Sequence, residues 1–425
     1  MKTELRSSSP LRELAEQLAT GATTPIDVAE AALARIADLE PEVHAWVHLD
    51  ADAVRSAADR IQDSGPDGAL WGLPVGVKDL IDVAGMPTRC GSELRGADSA
   101  TTDADCVARA RALGALPFGK TVTTEFGYFK PGPTRNPRAL GHTPGGSSSG
   151  SAAAVAAGMV PLAFGTQTAG SLTRPASFCG VAGFVTAHGE FPTAGITGLS
   201  PSLDTVGLLA RTVPDLHFAW TALRDGTRAP ALEPSAPHRL RLWSGFELGE
   251  VSREMTAALR TTADSAASAG IQCRELYSAA TVVALAEHHH TVMAYEAARE
   301  RAAEAAQTDK ISTPLAELFT AGAATTETDY RAALAEIRET RQLLLSALGE
   351  DEAILGPAAL GAAPHGHDAT GTPIMSRPWQ AMGLPVVTIP GSRDSAGLPL
   401  GLQLIGRPGA EQRLFQTAAW LESVL

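Results

Sequence analysis

The sequence predicts an α/β fold in which one sheet-centred unit takes up the whole chain, on three observations. Between Leu73 and about Gly207, β-like runs such as LPVGVKD and ALPFGKT alternate with helical stretches such as DADCVARARALG, the rhythm of an α/β layer. After a long helical portion, β-like runs return in AILGP and PVVTIPG, so the end of the chain rejoins its beginning. Apolar residues make up 44% of the 425 positions and charged residues 19%, enough to build a large core and too little charge for a disordered chain.

Taken in order, residues 10–62 carry apolar positions three and four apart with many alanines. This predicts helices over the first 65 residues, broken near Glu40-Pro41 because proline removes a backbone donor. Residues 66–228 form the predicted core. A polar, proline-containing connector follows at 229–239. Residues 240–350 read as an alanine-rich, cap-like helical portion interrupted by the β-like IQCREL, and 351–425 return to the core, with a last helix from Glu411. No internal repeat of fixed period occurs, and 1–425 is expected to be a single unit.

The formal net charge of −13 argues against a nucleic-acid surface and against anionic membranes, since both need clustered Lys and Arg. The longest nearly apolar run, Ala152 to Phe164, falls short of the ~20 residues that span a bilayer. MKTELRSSSPLRELAEQLATG lacks the apolar core of a signal peptide, and helix is expected from about Pro10. Cys90, Cys106, Cys179 and Cys273 show no CxxC spacing and read as reduced thiols. A cytoplasmic protein acting on a small molecule is expected, and a monomer or a homodimer is compatible with the sequence.

The chemistry concentrates between Pro144 and Gly180, PGGSSSGSAAAVAAGMVPLAFGTQTAGSLTRPASFCG. Two glycine-wrapped serine clusters flank a helix of small residues, a composition read here as poor for filling a core. Glycine turns let backbone N–H groups approach a ligand, and the serines offer hydroxyls for relay and attack. Serine needs a base within hydrogen-bond reach, and Lys78, within the apolar run VGVKDLID, could serve if burial keeps its amine neutral. The plainer reading pairs Lys78 with Asp79 or Asp82, or lets it reach the surface.

Together with GLPVGVKDLIDVAGMPTRCGS (Gly72 to Ser92), this stretch resembles the amidase signature family of serine amidohydrolases. AWVHLDADAVRSAAD, GKTVTTEFGY, NPRALGHTPGG, SPSLDTVGLLARTVPD, GLPVVTIPG and GLPLGLQLIG extend the likeness over nearly the whole chain. The resemblance implies a large mixed sheet between helical layers. It also implies a Ser-Ser-Lys triad: Ser171 as nucleophile, Ser147 as bridging serine after a cis Gly146–Ser147 bond, and Lys78 as base. The N–H groups of Thr168, Ala169, Gly170 and Ser171 would form the oxyanion hole. Gly127, Tyr128 and Phe129 fall where similar enzymes line the acyl pocket, and Ser148 and Trp379 join them as substrate-binding candidates. A lone tryptophan is otherwise ordinary core material. No cofactor and no metal is assigned.

The implied reaction is cleavage of a C–N bond in a small amide, anilide or carbamate through an acyl-enzyme, with ester or urethane hydrolysis within reach. The glutaminase component of a tRNA-dependent amidotransferase belongs to the same family and is the alternative. LFTAGAATTETDYRAALAEIRETRQLL resembles free-standing amidases more than those glutaminase components. Departures from the family pattern are Gln167 for an aspartate, Ala169 for a glycine, Thr173 for an arginine and Ser149 for a glycine. The acid and the arginine are lost together, which avoids a stranded buried charge and suggests a differently supported turn.

Two other motifs compete. GALPFGKT (Gly114 to Thr121) fits the P-loop expression with Lys120 and Thr121 as ligands, but its context is wrong for a strand-to-helix turn. GSSSG (Gly146 to Gly150) fits a nucleophile elbow that would make Ser148 the nucleophile of an α/β-hydrolase esterase, but no buried strand precedes it. Consecutive His288, His289 and His290 point in different directions from a helix and read as solvated or packing residues. His365 and His367 with Asp368 form only a weak metal pattern.

Overall fold

A computed structural model describes residues 11–276 and 279–425. Residues 1–10, over which the sequence predicts no apolar leader core and a helix start at Pro10, lie outside them. Eleven strands among the described residues form one mixed sheet: β1 (Trp46–His48), β2 (Pro74–Lys78), β3 (Leu116–Thr121), β4 (Leu162–Gln167), β5 (Ala182–Val185), β6 (Thr205–Ala210), β7 (Arg239–Leu242), β8 (Gln272–Glu275), β9 (Glu352–Pro357), β10 (Val386–Arg393) and β11 (Pro399–Ile405). Their spatial order is β1-β3-β2-β4-β6-β5-β10-β11-β9-β7-β8. β2 runs parallel to β3 and β4, and β7 parallel to β8 and β9; every other pairing is antiparallel.

The central strands β2, β3, β4, β5 and β6 are buried along their whole length, as near-continuous apolar runs require when both faces are covered. β9, β10 and β11 bring the chain's end back into the sheet, as expected. The portion read as cap-like divides in two. Residues 239–275 add β7 and β8 to the sheet edge. Helices Ala279–Glu300, Thr313–Ala324 and Glu327–Ala347 pack on one another, the second and third both resting on the first.

Two expectations are corrected. The helix Pro25–Val43 runs through Pro41 instead of breaking there, the proline removing only its own bond to the Ala37 carbonyl in the last turns of the helix. The chain turns at His44, which caps the helix with φ 52°, and the Glu40 carboxylate accepts from the N–H groups of Ala45 and Trp46.

The small-residue helix Ser149–Ala156 is core: all eight residues are buried. Small side chains are what let it lie against the sheet. A Cβ on Gly150 would stand 2.3 Å from the Ala45 carbonyl oxygen and 2.4 Å from the Val122 nitrogen. Nor do its serines cap it. Ser149 Oγ donates to the Val122 carbonyl (3.2 Å) and Ser151 Oγ to the Phe164 carbonyl (2.9 Å), tying the helix to neighbouring backbone. Among the described residues, no helix is long and apolar enough to cross a membrane.

The P-loop motif is a strand. Lys120 and Thr121 end β3 fully buried, and Lys120 Nζ lies 3.2 Å from Asp79 Oδ1 while donating to Thr88 Oγ1 and the Pro87 carbonyl. Removing one partner of such a pair leaves a charge alone in the core. Lys120→Met is therefore expected to cost about 3–5 kcal/mol in chemical unfolding, and Lys120→Met combined with Asp79→Leu to recover part of it. An unmoved midpoint in the single variant refutes the buried pair.

Candidate active site

Asp79 is engaged by Lys120, and this decides the surroundings of Lys78. The end of β2 carries Lys78 into the centre of the sheet, where it is fully buried. Its Nζ lies 2.7 Å from Ser147 Oγ, 2.8 Å from Thr166 Oγ1 and 3.5 Å from the Thr166 carbonyl oxygen. Burial lowers its pKa to about 7; Asp204 opposes that shift and Arg174 adds to it. A neutral amine has two N–H donors and one lone pair. With Thr166 taking the donors, the lone pair is left for the Ser147 hydroxyl.

The Gly146–Ser147 peptide is cis, as the resemblance implied. The Ser148 N–H donates to the Ser171 carbonyl at 3.0 Å, which binds the two serine turns together. Ser147 and Ser171 both line a cleft of about 370 Å3, joined by Gly127, Tyr128, Phe129, Thr168, Ala169, Arg174, Met293 and Arg377. Gly170 lies behind this wall, where a Cβ would meet Pro373 at 3.0 Å. The N–H groups of Ala169, Gly170 and Ser171 have no acceptor among the described residues.

One departure in the nucleophile turn, Gln167, supports it. Gln167 Oε1 accepts from the N–H groups of Leu172 and Thr173, both at 3.0 Å, and Gln167 Nε2 donates to Gln380 Oε1 at 3.0 Å. Gln380 Nε2 in turn reaches Thr205 Oγ1 and the carbonyls of Gln167 and Leu203. Gln167, in the position of the family's acid, is thus held by a neutral amide partner, Gln380. Arg174 does not join it: Nη2 donates to the Gly146 carbonyl (2.6 Å) and Thr370 Oγ1 (3.3 Å).

Thr168 is held on two sides. Its hydroxyl donates to Asp204, a buried carboxyl that also accepts from the N–H groups of Leu199 and Ser200. Burial raises the Asp204 pKa to about 6, against the lowering effect of these hydrogen bonds. The Thr168 carbonyl lies 2.7 Å from His289 Nε2. A carbonyl only accepts, so Nε2 carries the proton. Burial pushes the His289 pKa down to about 3, so the ring stays neutral.

A profile of the amidase family matches residues 27–415. The chain belongs to the amidase signature family. A glutamyl-tRNA(Gln) amidotransferase component from Solidesulfovibrio magneticus is 32% identical to it, the match covering 98% of this chain and 96% of that protein. An amidase crystal structure superposes with a TM-score of 0.87 at 31% identity, over 98% of this chain and 99% of its own. The peptide amidase of Stenotrophomonas maltophilia does so with a TM-score of 0.83 at 26% identity, over 98% and 97%.

Within this amidase signature chain, three assignments change. Trp379 is core: it is 1% exposed and stacks edge-on against Trp243, ring centres 5.0 Å apart, because the helix Arg377–Ala381 turns it away from the cleft. Ser148 is fully buried beneath the cleft, donating to the Thr166 carbonyl at 3.3 Å, so it neither lines the substrate space nor serves as an elbow nucleophile. His289 is neither solvated nor simply packed, since it holds Thr168.

Gln380, Asp204, His289 and Arg377 were missed as site residues. Asp204 lies within the quoted SPSLDTVG stretch and could have been flagged there. The other three reach the site from far along the chain, with no local signal. His289→Ala removes the donor that holds the Thr168 carbonyl and is expected to lower kcat about tenfold or more with KM little changed and circular dichroism intact. His289→Gln, which keeps a donor, should recover part of the loss; equal kcat in all three proteins refutes the role.

Proposed function

We propose that the chain hydrolyses the C–N bond of a small amide, anilide or carbamate through an acyl-enzyme on Ser171, with Ser147 and Lys78 as proton relay. The observation that carries this reading is a buried lysine, poised near neutrality, 2.7 Å from the hydroxyl of a serine that shares one cleft wall with Ser171. Family membership supports the reaction class.

In this mechanism the neutral Lys78 amine takes the Ser147 proton as Ser147 takes that of Ser171, and Ser171 Oγ bonds to the scissile carbon. The oxygen of that carbonyl becomes an anion facing the turn from Thr168 to Ser171. Each N–H donor there is worth roughly 3–4 kcal/mol of barrier. Collapse of the tetrahedral adduct expels the amine, which takes a proton back through Ser147 and Lys78. Water then releases the acid by the same route in reverse.

Lys78→Ala, Ser147→Ala and Ser171→Ala are each expected to remove most turnover while the protein still folds, and an activated phosphonate should add its mass to Ser171 alone. Wild-type rates in any of the three, or an adduct elsewhere, refute the assignment. The base must be deprotonated, so kcat/KM should rise with pH through a midpoint near 7 and fall away below it; a profile flat from pH 5 to 9 contradicts Lys78 as base.

A second reading, the glutaminase-type component of a tRNA-dependent amidotransferase, is favoured by the likeness to the Solidesulfovibrio magneticus protein over nearly both full lengths. Turnover of simple amides by the purified chain supports the first reading; turnover of glutamine alone supports the second.

A further inference from the structure

The cleft holds two guanidinium groups and no acid. Arg174 and Arg377 both line it, and none of the other lining residues is Asp or Glu. Arg174 is 96% buried, since only 4% of it is exposed. Its Nη2 is used by the Gly146 carbonyl and Thr370, yet its Nε and Nη1 have no partner among the described residues. Arg377 Nε is likewise buried without a partner.

Asp204, a buried acid beside the lining residues Thr168 and Leu199, is already engaged, because it accepts from Thr168, Leu199 and Ser200. Burial, and then the charge of Arg377, bring the Arg174 pKa down to about 9. Burial lowers that of Arg377 as well. Two like charges lining one cleft, with buried donors left over, are an unfavourable arrangement until an anion joins them.

We propose that the substrate carries a carboxylate, held in the cleft by the guanidinium groups of Arg174 and Arg377. This rests on the cleft being the amide-cleaving site and narrows its substrate to amides bearing an acid, on the acyl part or on the amine. Both guanidinium groups line the same cleft as Ser171, so the acid and the scissile carbonyl of one molecule share that space. Charge-assisted hydrogen bonds from guanidinium to carboxylate supply the selectivity.

The test compares kcat/KM of the intact chain on shape-matched pairs that differ in charge. Succinamate against 4-methylvaleramide puts the acid on the acyl part; N-acetylglycine against N-isobutylacetamide puts it on the amine. The anionic member should be favoured about 10- to 100-fold in at least one pair, and that pair identifies the side. Arg377→Gln should cut this preference about tenfold or more, and Arg377→Lys should retain part of it. Calorimetry on Ser171→Ala should detect succinate binding that Arg377→Gln weakens in the same background. Neutral members cleaved as fast as their anionic partners overturn the inference and leave the amide reading standing. Succinate binding through Arg377 without turnover of any amide does the reverse.

Discussion

The structure turns on an amine kept out of water without a carboxylate in contact. Burying a lysine disfavours its charged form, and a directly bonded acid would restore that charge. Here the acid next in sequence faces another lysine: Asp79, just past β2, and Lys120 on β3 satisfy each other. Lys78 is left with hydroxyls and a carbonyl, from Ser147 and Thr166. Parallel pairing of β2 with β3 and with β4 makes this possible, because it sets Lys120 and Thr166 on the two strands that flank Lys78.

Around that amine the fold assembles rigid pieces rather than a mobile loop. The small-residue helix lies close enough to the sheet to fix the Ser147 turn, and the Ser148 N–H ties that turn to Ser171. The Ser171 turn is braced from distant parts of the chain: Gln380 from the last third and His289 from the long helix Ala279–Glu300. The portion read from sequence as a cap thus reaches the turn that faces the cleft. Met293, from the same helix as His289, lines the cleft itself.

Much of this was legible in the sequence, for reasons that can be named. Strands such as LPVGVK and ALPFGKT announce themselves because both faces are buried and the runs are apolar. The two serine turns stand out because glycine clusters mark places where backbone must approach something. What was misread depended on distance. SGSAAAVA looked unfit for a core because composition does not reveal how closely a helix can approach a sheet. Trp379 and Ser148 lie beside site residues in sequence, yet one faces Trp243 and the other the Thr166 carbonyl, since a helix or turn sends neighbouring side chains in different directions. His289 was obscured by its two histidine neighbours, and only the packing of the helix selects the middle one.

The amide brace of Gln167 and Gln380 has a bearing on how such a turn can diverge. An aspartate introduced alone at 167 is one methylene shorter, would lose the donor to Gln380 and would bring an unmatched anion into the core, and an arginine introduced alone at 173 would bring an unmatched cation. The space around residue 167 is thus matched to a neutral side chain, and a charge placed there needs its counter-charge placed with it.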